Sequence, residues 1–459
     1  MTTTSCGTYP KRHHAIELSL NACGVECCPH STHRGLVAVA SYLHRPGGGE
    51  DDEPGTRVGQ LYLYDLSPVR LDGEGDLEGG SNRDGSEPAR WNFAPVAKPL
   101  DTSAIFELAW APASWTTEAG PVLAQADARG FLALYRVCKE EGGVDGDGVE
   151  DVDGVDGVTS TGDDGVAGMT YKPVPLTSLQ CGGGGLCMTT CVAWSRDGDE
   201  SDFKSTRLAV TGADGGLRII GVTDSGSLAV VTEKSDAHSL EAWACAFANP
   251  LSFHGGGNDV VFTGADDARF KAWDVRVGNG EPVLAFSDKK THMAGVTCVS
   301  PSPHDPHVVC TGSYDDVVRL WDVRFCDKPR LVTHTKLGGG SWRARWHPHE
   351  RRIAVAAMDG GAVVLDWDGR EVVTEKKGVE AELRSSSKQS SNDDDDVSVT
   401  IVSTEFKVAC TYDGHCSIAY GADWGWRGGD GNGREPDVVV SCSFYDKGLQ
   451  VWTPPPRGG

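Results

Sequence analysis

Three large aromatic side chains with polar handles, Trp243, Trp342 and Tyr420, each stand four residues before an aromatic residue (Phe247, Trp346 and Trp424) that closes a short apolar segment. Phe106, Thr190 and Thr297 stand in the same relation to Trp110, Trp194 and Pro301. If the segments are equivalent strands around one axis, this row lies at the rim of a central channel. Glu241, Arg343 and Asp423 lie one to three residues from the aromatics. Aromatic faces beside carboxylates suit a cationic group, which is attracted by the ring quadrupole and by the charge. The same residues equally suit a second job, filling the channel between repeats.

Other chemistry leaves weaker marks. Cys23-x3-Cys27-Cys28-x-His30 and Cys187-x3-Cys191 lack the paired C-x2-C spacing of a closed zinc site, so no metal is expected. His347-Pro348-His349-Glu350 has no second histidine one helical turn on, and the GGGG at 182–185 is not followed by Lys-Ser/Thr. No G-x-S-x-G elbow occurs, since GGGSW at 338–342 ends in Trp342. The Asp-Gly alternation after Asp145 has Val149 where a calcium loop needs Asp or Asn. No cofactor is expected, and any catalytic site must be assembled from separate segments.

Those segments repeat. TGADDARFKAWDVR (263–276) and TGSYDDVVRLWDVR (311–324) match in register, and SCSFYDKGLQVW (441–452) is a third copy. Weaker copies at 211–222, 356–367, 125–137 and 58–66 bring the number to seven. Each is an alternating strand, a turn rich in Gly, Asp or Ser, and a second alternating strand, with a further strand upstream. Units of three or four strands at a period of about 40–50 residues are the WD-repeat signature. The expected fold is all-β, one seven-bladed propeller over 15–453, with flexible termini at 1–12 and 454–459. Asp267, Asp315 and Asp446 lie six residues before Trp273, Trp321 and Trp452. They read as structural turn residues, with His238 the partner of Asp267 and His292 that of Asp315.

Composition excludes some partners. Asp plus Glu outnumber Lys plus Arg by 66 to 42 in 459 residues, a formal charge of -24. Residues 50–90 hold 11 acidic and 4 basic side chains, and residues 139–168 hold 10 and 1. Insertions at 46–56, 72–90, 139–168 and 376–396 are too polar and Gly-rich to bury a core and are expected to be disordered. With no basic stripe, nucleic acid is a poor partner. Apolar runs as short as LVAVA (36–40) give no membrane span, and the first residues carry no secretory core. The 15 scattered cysteines read as reduced thiols of the cytosol or nucleus; a cytoplasmic protein and a monomer are expected.

The segments EAWACAF (241–247), TGSYDDVVRLWDVR (311–324), GGGSWRARWHP (338–348), SIAYGADW (417–424) and CSFYDKGLQVW (442–452) resemble the WD-repeat diphthine methyl ester hydrolases of the diphthamide pathway. The chain departs from that pattern at Cys27, where the family has Trp, and at Cys416, where it has an acidic residue. The resemblance implies hydrolysis of the methyl ester on methylated diphthine, the modified histidine of elongation factor 2, with release of methanol. That substrate carries a trimethylammonium group, so Trp243, Trp342 and Tyr420 become its walls, Glu241 or Asp423 its charge partner, and Tyr445 a further contact. For the ester, Arg343 is the oxyanion donor, Asp423 or His292 the base, and Ser443 an alternative nucleophile; water activated by His292 is the preferred route. A non-catalytic WD-repeat scaffold or a methyl-lysine reader are the other readings.

Overall fold

The computed structural model describes residues 10–46, 56–69, 91–112, 119–140, 170–181, 187–195, 206–223, 227–253, 256–276, 282–288, 290–324, 328–376, 397–403, 405–425 and 437–457. Alternating apolar and polar residues fold into seven antiparallel sheets arranged as the blades of a propeller. The innermost strands, in blade order, are Asn21–Cys27, Ile105–Trp110, Thr189–Trp194, Ala242–Phe247, Val296–Pro301, Arg343–Trp346 and Ala419–Gly425. Within a typical blade the strands follow in chain order from the axis outward, as in blade four: Ala242–Phe247, Val260–Ala265, Phe270–Asp274, Val283–Asp288. Apolar residues from neighbouring sheets form the core between blades, for example Val37, Tyr64 and Phe93 of blade one against Val438, Val440 and Val451 of blade seven.

Two connections escape a reading of local patterns. Strand Lys11–Glu17 forms the outer edge of blade seven, pairing with Gly448–Thr453 and closing the ring. Lys11 and Arg12, expected in a flexible terminus, are thus paired with Thr453 and Trp452. At the other end Pro455 accepts a hydrogen bond from Arg352 and Arg457 donates to the Trp367 carbonyl, so residues 454–457 are also packed. In blade six a hairpin of Arg370–Lys376 and Val397–Ser403 leaves the sheet before Phe406–Tyr412 returns as its fourth strand. The expected insertions lie almost wholly outside the described residues; of their described margins Thr56, Lys139, Glu140 and Lys376 are strand residues, and Pro46 follows a strand end.

Hydrogen-bonded chains lock individual blades. In blade four the Trp273 indole donates to Thr263 (2.8 Å), the Thr263 hydroxyl meets His238 Nε2 (2.7 Å), and His238 Nδ1 meets Asp267 (3.0 Å). Burial lowers the His238 pKa, which keeps the ring neutral and suits a donor at Nδ1 and an acceptor at Nε2. Asp267 also takes the Arg269 N–H across the turn, supporting Ala268 in the left-handed region at φ 56°. Blade five repeats the chain with Trp321, Thr311 and His292, but His292 Nδ1 faces Asp288 at 3.6 Å. Asp315, its expected partner, is taken by Arg319 (2.8 Å) and the Met293 N–H (2.9 Å), which provide a stronger, charge-assisted pairing.

Removing the central hydroxyl leaves two buried groups without a partner. Thr263→Val is expected to lower unfolding free energy by about 2–6 kcal/mol, at about 1–3 kcal/mol per stranded group. Urea denaturation of both proteins measures it; a change under about 0.5 kcal/mol would contradict the lock.

Candidate functional site in the central channel

The innermost strands share an irregularity that positions the aromatic row. In six of the seven, the pairing register shifts across one residue: Cys23, Phe106, Thr190, Trp243, Thr297 and Tyr420. A bulge re-aims the side chain at the extra residue. Here the six are the row positions of blades one to five and seven, while Trp342 of blade six sits just before its strand. Thr190 and Thr297 turn their hydroxyls to the Ala242 and Ser341 carbonyls of the next blade.

The aromatic members close into a ring of six. Centroids are separated by 6.4 Å from Phe106 to Trp243, 5.7 Å to Trp342 and 5.1 Å to Tyr420. The circuit continues through Phe444 (5.0 Å) and Tyr42 (6.1 Å) and returns to Phe106 (5.6 Å). Tyr314 adds a seventh ring 6.0 Å from Trp342. The structure therefore brings Trp243, Trp342 and Tyr420 together, and adds Tyr42, Phe444 and Tyr314. Glu241 is half-buried next to the ring, and Asp266 beside it has its pKa raised by burial and by the Glu241 charge. Tyr445 is 72% exposed and packs on Phe444, so it stands on the outer rim.

Beneath the ring lies a charged belt. Residues two apart on a strand share a face, so Arg343 and Arg345 both reach the axis from blade six. Arg343 stacks 5.0 Å from the Trp342 ring, donates to the Trp342 carbonyl (3.0 Å) and the Phe106 carbonyl (3.1 Å), and pairs with Glu107. Arg345 pairs with Glu107 at 2.9 Å and with Glu26. Asp423 accepts the Cys27 N–H (2.7 Å) and the Trp424 N–H (2.8 Å). Two carboxylates, from blades one and two, thus pair with two guanidinium groups, and Asp423 of blade seven feels the charge of Arg345. Burial pushes the Glu26 carboxyl up to about 8, with Asp423 and Glu107 adding to the rise and Arg345 opposing it. Asp423 is raised for the same first reason, burial.

The belt lines a cavity of about 590 Å³. It runs from Trp243, Thr297 and Arg343 towards Pro29, Pro112 and Pro348, just past the strand ends. Its wall is braced by indoles: Trp110, Trp194, Trp346 and Trp424 each donate to a carbonyl of the preceding blade's innermost strand, at 2.9–3.1 Å. A volume of this size admits one ligand side chain.

Two catalytic expectations do not survive this geometry. His292 is fully buried between strands of blade five, engaged by Thr311 and Asp288, away from the channel. Ser443 is buried within a lock of blade seven. The Trp452 indole donates to Ser441 (3.0 Å), Ser441 meets His415 Nε2 (2.7 Å), and His415 Nδ1 meets Ser443 (2.7 Å), which bonds to Asp446. Burial lowers the His415 pKa to about 4, so this ring is neutral and its two nitrogens are committed. Ser443 is fully buried among these partners, so no electrophile reaches its hydroxyl. Asp446 keeps the structural role expected of it, with Ser443 interposed before its histidine.

The comparisons with known proteins are consistent with each other. The WD domain, G-beta repeat model matches residues 281–322. A diphthine methyltransferase homolog of Dictyostelium discoideum is 30% identical over 270 residues, covering 57% of this chain and 61% of that protein. The diphthine methyltransferase of Homo sapiens is 26% identical over 430 residues, covering 90% and 74%. That of Saccharomyces cerevisiae is 30% identical over 230 residues, covering 47% and 49%. The chain thus spans between about half and three quarters of these relatives' lengths. A chain of the crystal structure of the mitotic checkpoint complex superposes over 99% of this chain and 97% of its own, with TM-score 0.52 and 12% identity, which shows the fold alone.

The raised Glu26 carboxyl has a measurable sign. The native chain holds that proton while the unfolded chain releases it, so the stability Glu26 contributes falls as pH rises from about 4.5 to about 8. Glu26→Gln should flatten the curve of melting temperature against pH in that window; an unchanged slope would show that Glu26 ionises normally.

Proposed function

We propose that this chain, a WD-repeat protein similar to the diphthine methyltransferases named above, removes the methyl ester from methylated diphthine on elongation factor 2, releasing methanol. A role for the chain as an enzyme of diphthamide biosynthesis rests on the relatives named above. The relatives carry a methyltransferase name, and what favours hydrolysis is the arrangement in the channel. The observation that carries the reading is the contact between Arg343 and Trp342 at 5.0 Å, which joins the aromatic ring to the charged belt. A substrate with both a quaternary ammonium and an ester needs aromatic walls and oxyanion donors within reach of one side chain.

In this reading Trp243, Trp342 and Tyr420 face the trimethylammonium, and Glu241 and Asp266 supply the negative edge. Arg343 has its donors committed to two carbonyls and Glu107, so it fixes the wall, and Arg345 takes the oxyanion role first given to Arg343. A preorganised guanidinium stabilises a developing oxyanion without reorganisation. Asp423, with both oxygens on backbone N–H groups, holds blade seven against blade one and adds negative charge beside Glu26.

Purified protein incubated with elongation factor 2 carrying methylated diphthine should release methanol and shift the factor's mass from ester to acid. Trp342→Ala should raise KM about 10- to 30-fold, the loss of a desolvated cation–π contact of about 2 kcal/mol. Arg345→Met should lower kcat about 100-fold or more. Binding of the factor without methanol release would instead support a scaffold or methyl-lysine reader.

A further inference from the structure

We propose that Glu26 is the general base, activating water for attack on the ester from within the 590 Å³ cavity; this rests on the esterase reading above. Three carboxylates border the belt, and their engagement separates them. Both oxygens of Glu107 are held, Oε1 by Arg345 and Oε2 by Arg343, and its side chain is 7% exposed. Both oxygens of Asp423 accept backbone N–H groups. Glu26 is different. Among the described residues its ion pair with Arg345 engages Oε1, its side chain is 15% exposed, and it lines the cavity.

The position is also chemically suited. A base needs to sit beside the oxyanion donor, and Glu26 touches Arg345, whose side chain is 28% exposed to the same cavity. It also needs a proton affinity close to the working pH. Burial, together with the charges of Asp423 and Glu107, brings Glu26 to about 8. The sequence context hides this role, since Glu26 precedes Cys27 at the end of a strand that otherwise reads as sheet interior.

The step balances as follows. The Glu26 carboxylate takes a proton from water, and the water oxygen forms a bond to the ester carbonyl carbon. The carbonyl electron pair moves to oxygen, where Arg345 donates hydrogen bonds. Collapse of this intermediate breaks the bond from carbon to methoxy oxygen, and Glu26 returns its proton to the departing methoxide. Methanol and the free acid leave, and the acid loses its proton to solvent.

The test uses the full chain and elongation factor 2 carrying methylated diphthine. Glu26→Gln should lower kcat about 100-fold or more with KM changed less than about threefold. The wild-type kcat should rise with pH through a midpoint near 8, because the base works ionised, and the Glu26→Gln protein should lose that limb. A purely structural Glu26 would alter the melting temperature and leave the shape of the pH profile intact. Should Glu26→Gln fail to fold, Glu26→Asp decides the matter: a displaced midpoint supports the assignment, and a wild-type profile overturns it. Wild-type protein that releases no methanol overturns the esterase reading itself, whereas active wild type with an equally active Glu26→Gln overturns only the base.

Discussion

Two guanidinium groups sit in the central channel, where unpaired charge is costly, and the neighbouring blades are arranged to answer them. Arg343 and Arg345 come from one strand of blade six, yet their partners lie across the axis in blades one and two. Buried ion pairs of this kind seldom stabilise a fold more than apolar packing of the same volume would. The blades have other means of holding together: the Trp-Thr-His-Asp chain of blade four, its variants in blades five and seven, and the indole bridges between innermost strands. Arg343 and Asp423 add to that bracing, and the pair of Arg345 with Glu26 is the part of the belt to which the proposal gives chemistry.

The ring above the belt follows from one backbone device used repeatedly. A bulge at the row position of six innermost strands turns a residue that would alternate between blade interfaces towards the axis. Where that residue is aromatic it joins the ring, and where it is threonine it bonds to the next blade. The contents of the row can vary without disturbing the sheet, so a common architecture holds a specific site.

The repeats made most of this visible in the sequence. Matching Trp273, Trp321 and Trp452 set the blade register, and the register placed Trp243, Trp342 and Tyr420 in one row. Sequence also held signals that spacing alone did not reveal. Arg345 follows Arg343 by two, so it shares its face; Glu107 directly follows Phe106. Tyr42 and Phe444 enter the ring from outside the row, and no repeat alignment points to them. Ser443 looked like a nucleophile because Tyr445 and Asp446 are its neighbours, whereas His415, which defines its true role, lies 28 residues away. The closing strand Lys11–Glu17 pairs with residues some 440 positions on, a distance at which no local pattern can speak.

In the proposed reading, an aromatic ring for a quaternary ammonium stands against a guanidinium and a carboxylate base, and the carbonyl of an ester with a nearby positive charge is what they attack. Methyl transfer would instead attack the methyl carbon, and the two routes break different bonds. The most direct measurement is the reaction of methylated elongation factor 2 with the purified chain in water enriched in heavy oxygen. Attack at the carbonyl predicts label in the product carboxylate and unlabelled methanol. A demethylated factor with an unlabelled carboxylate would contradict it.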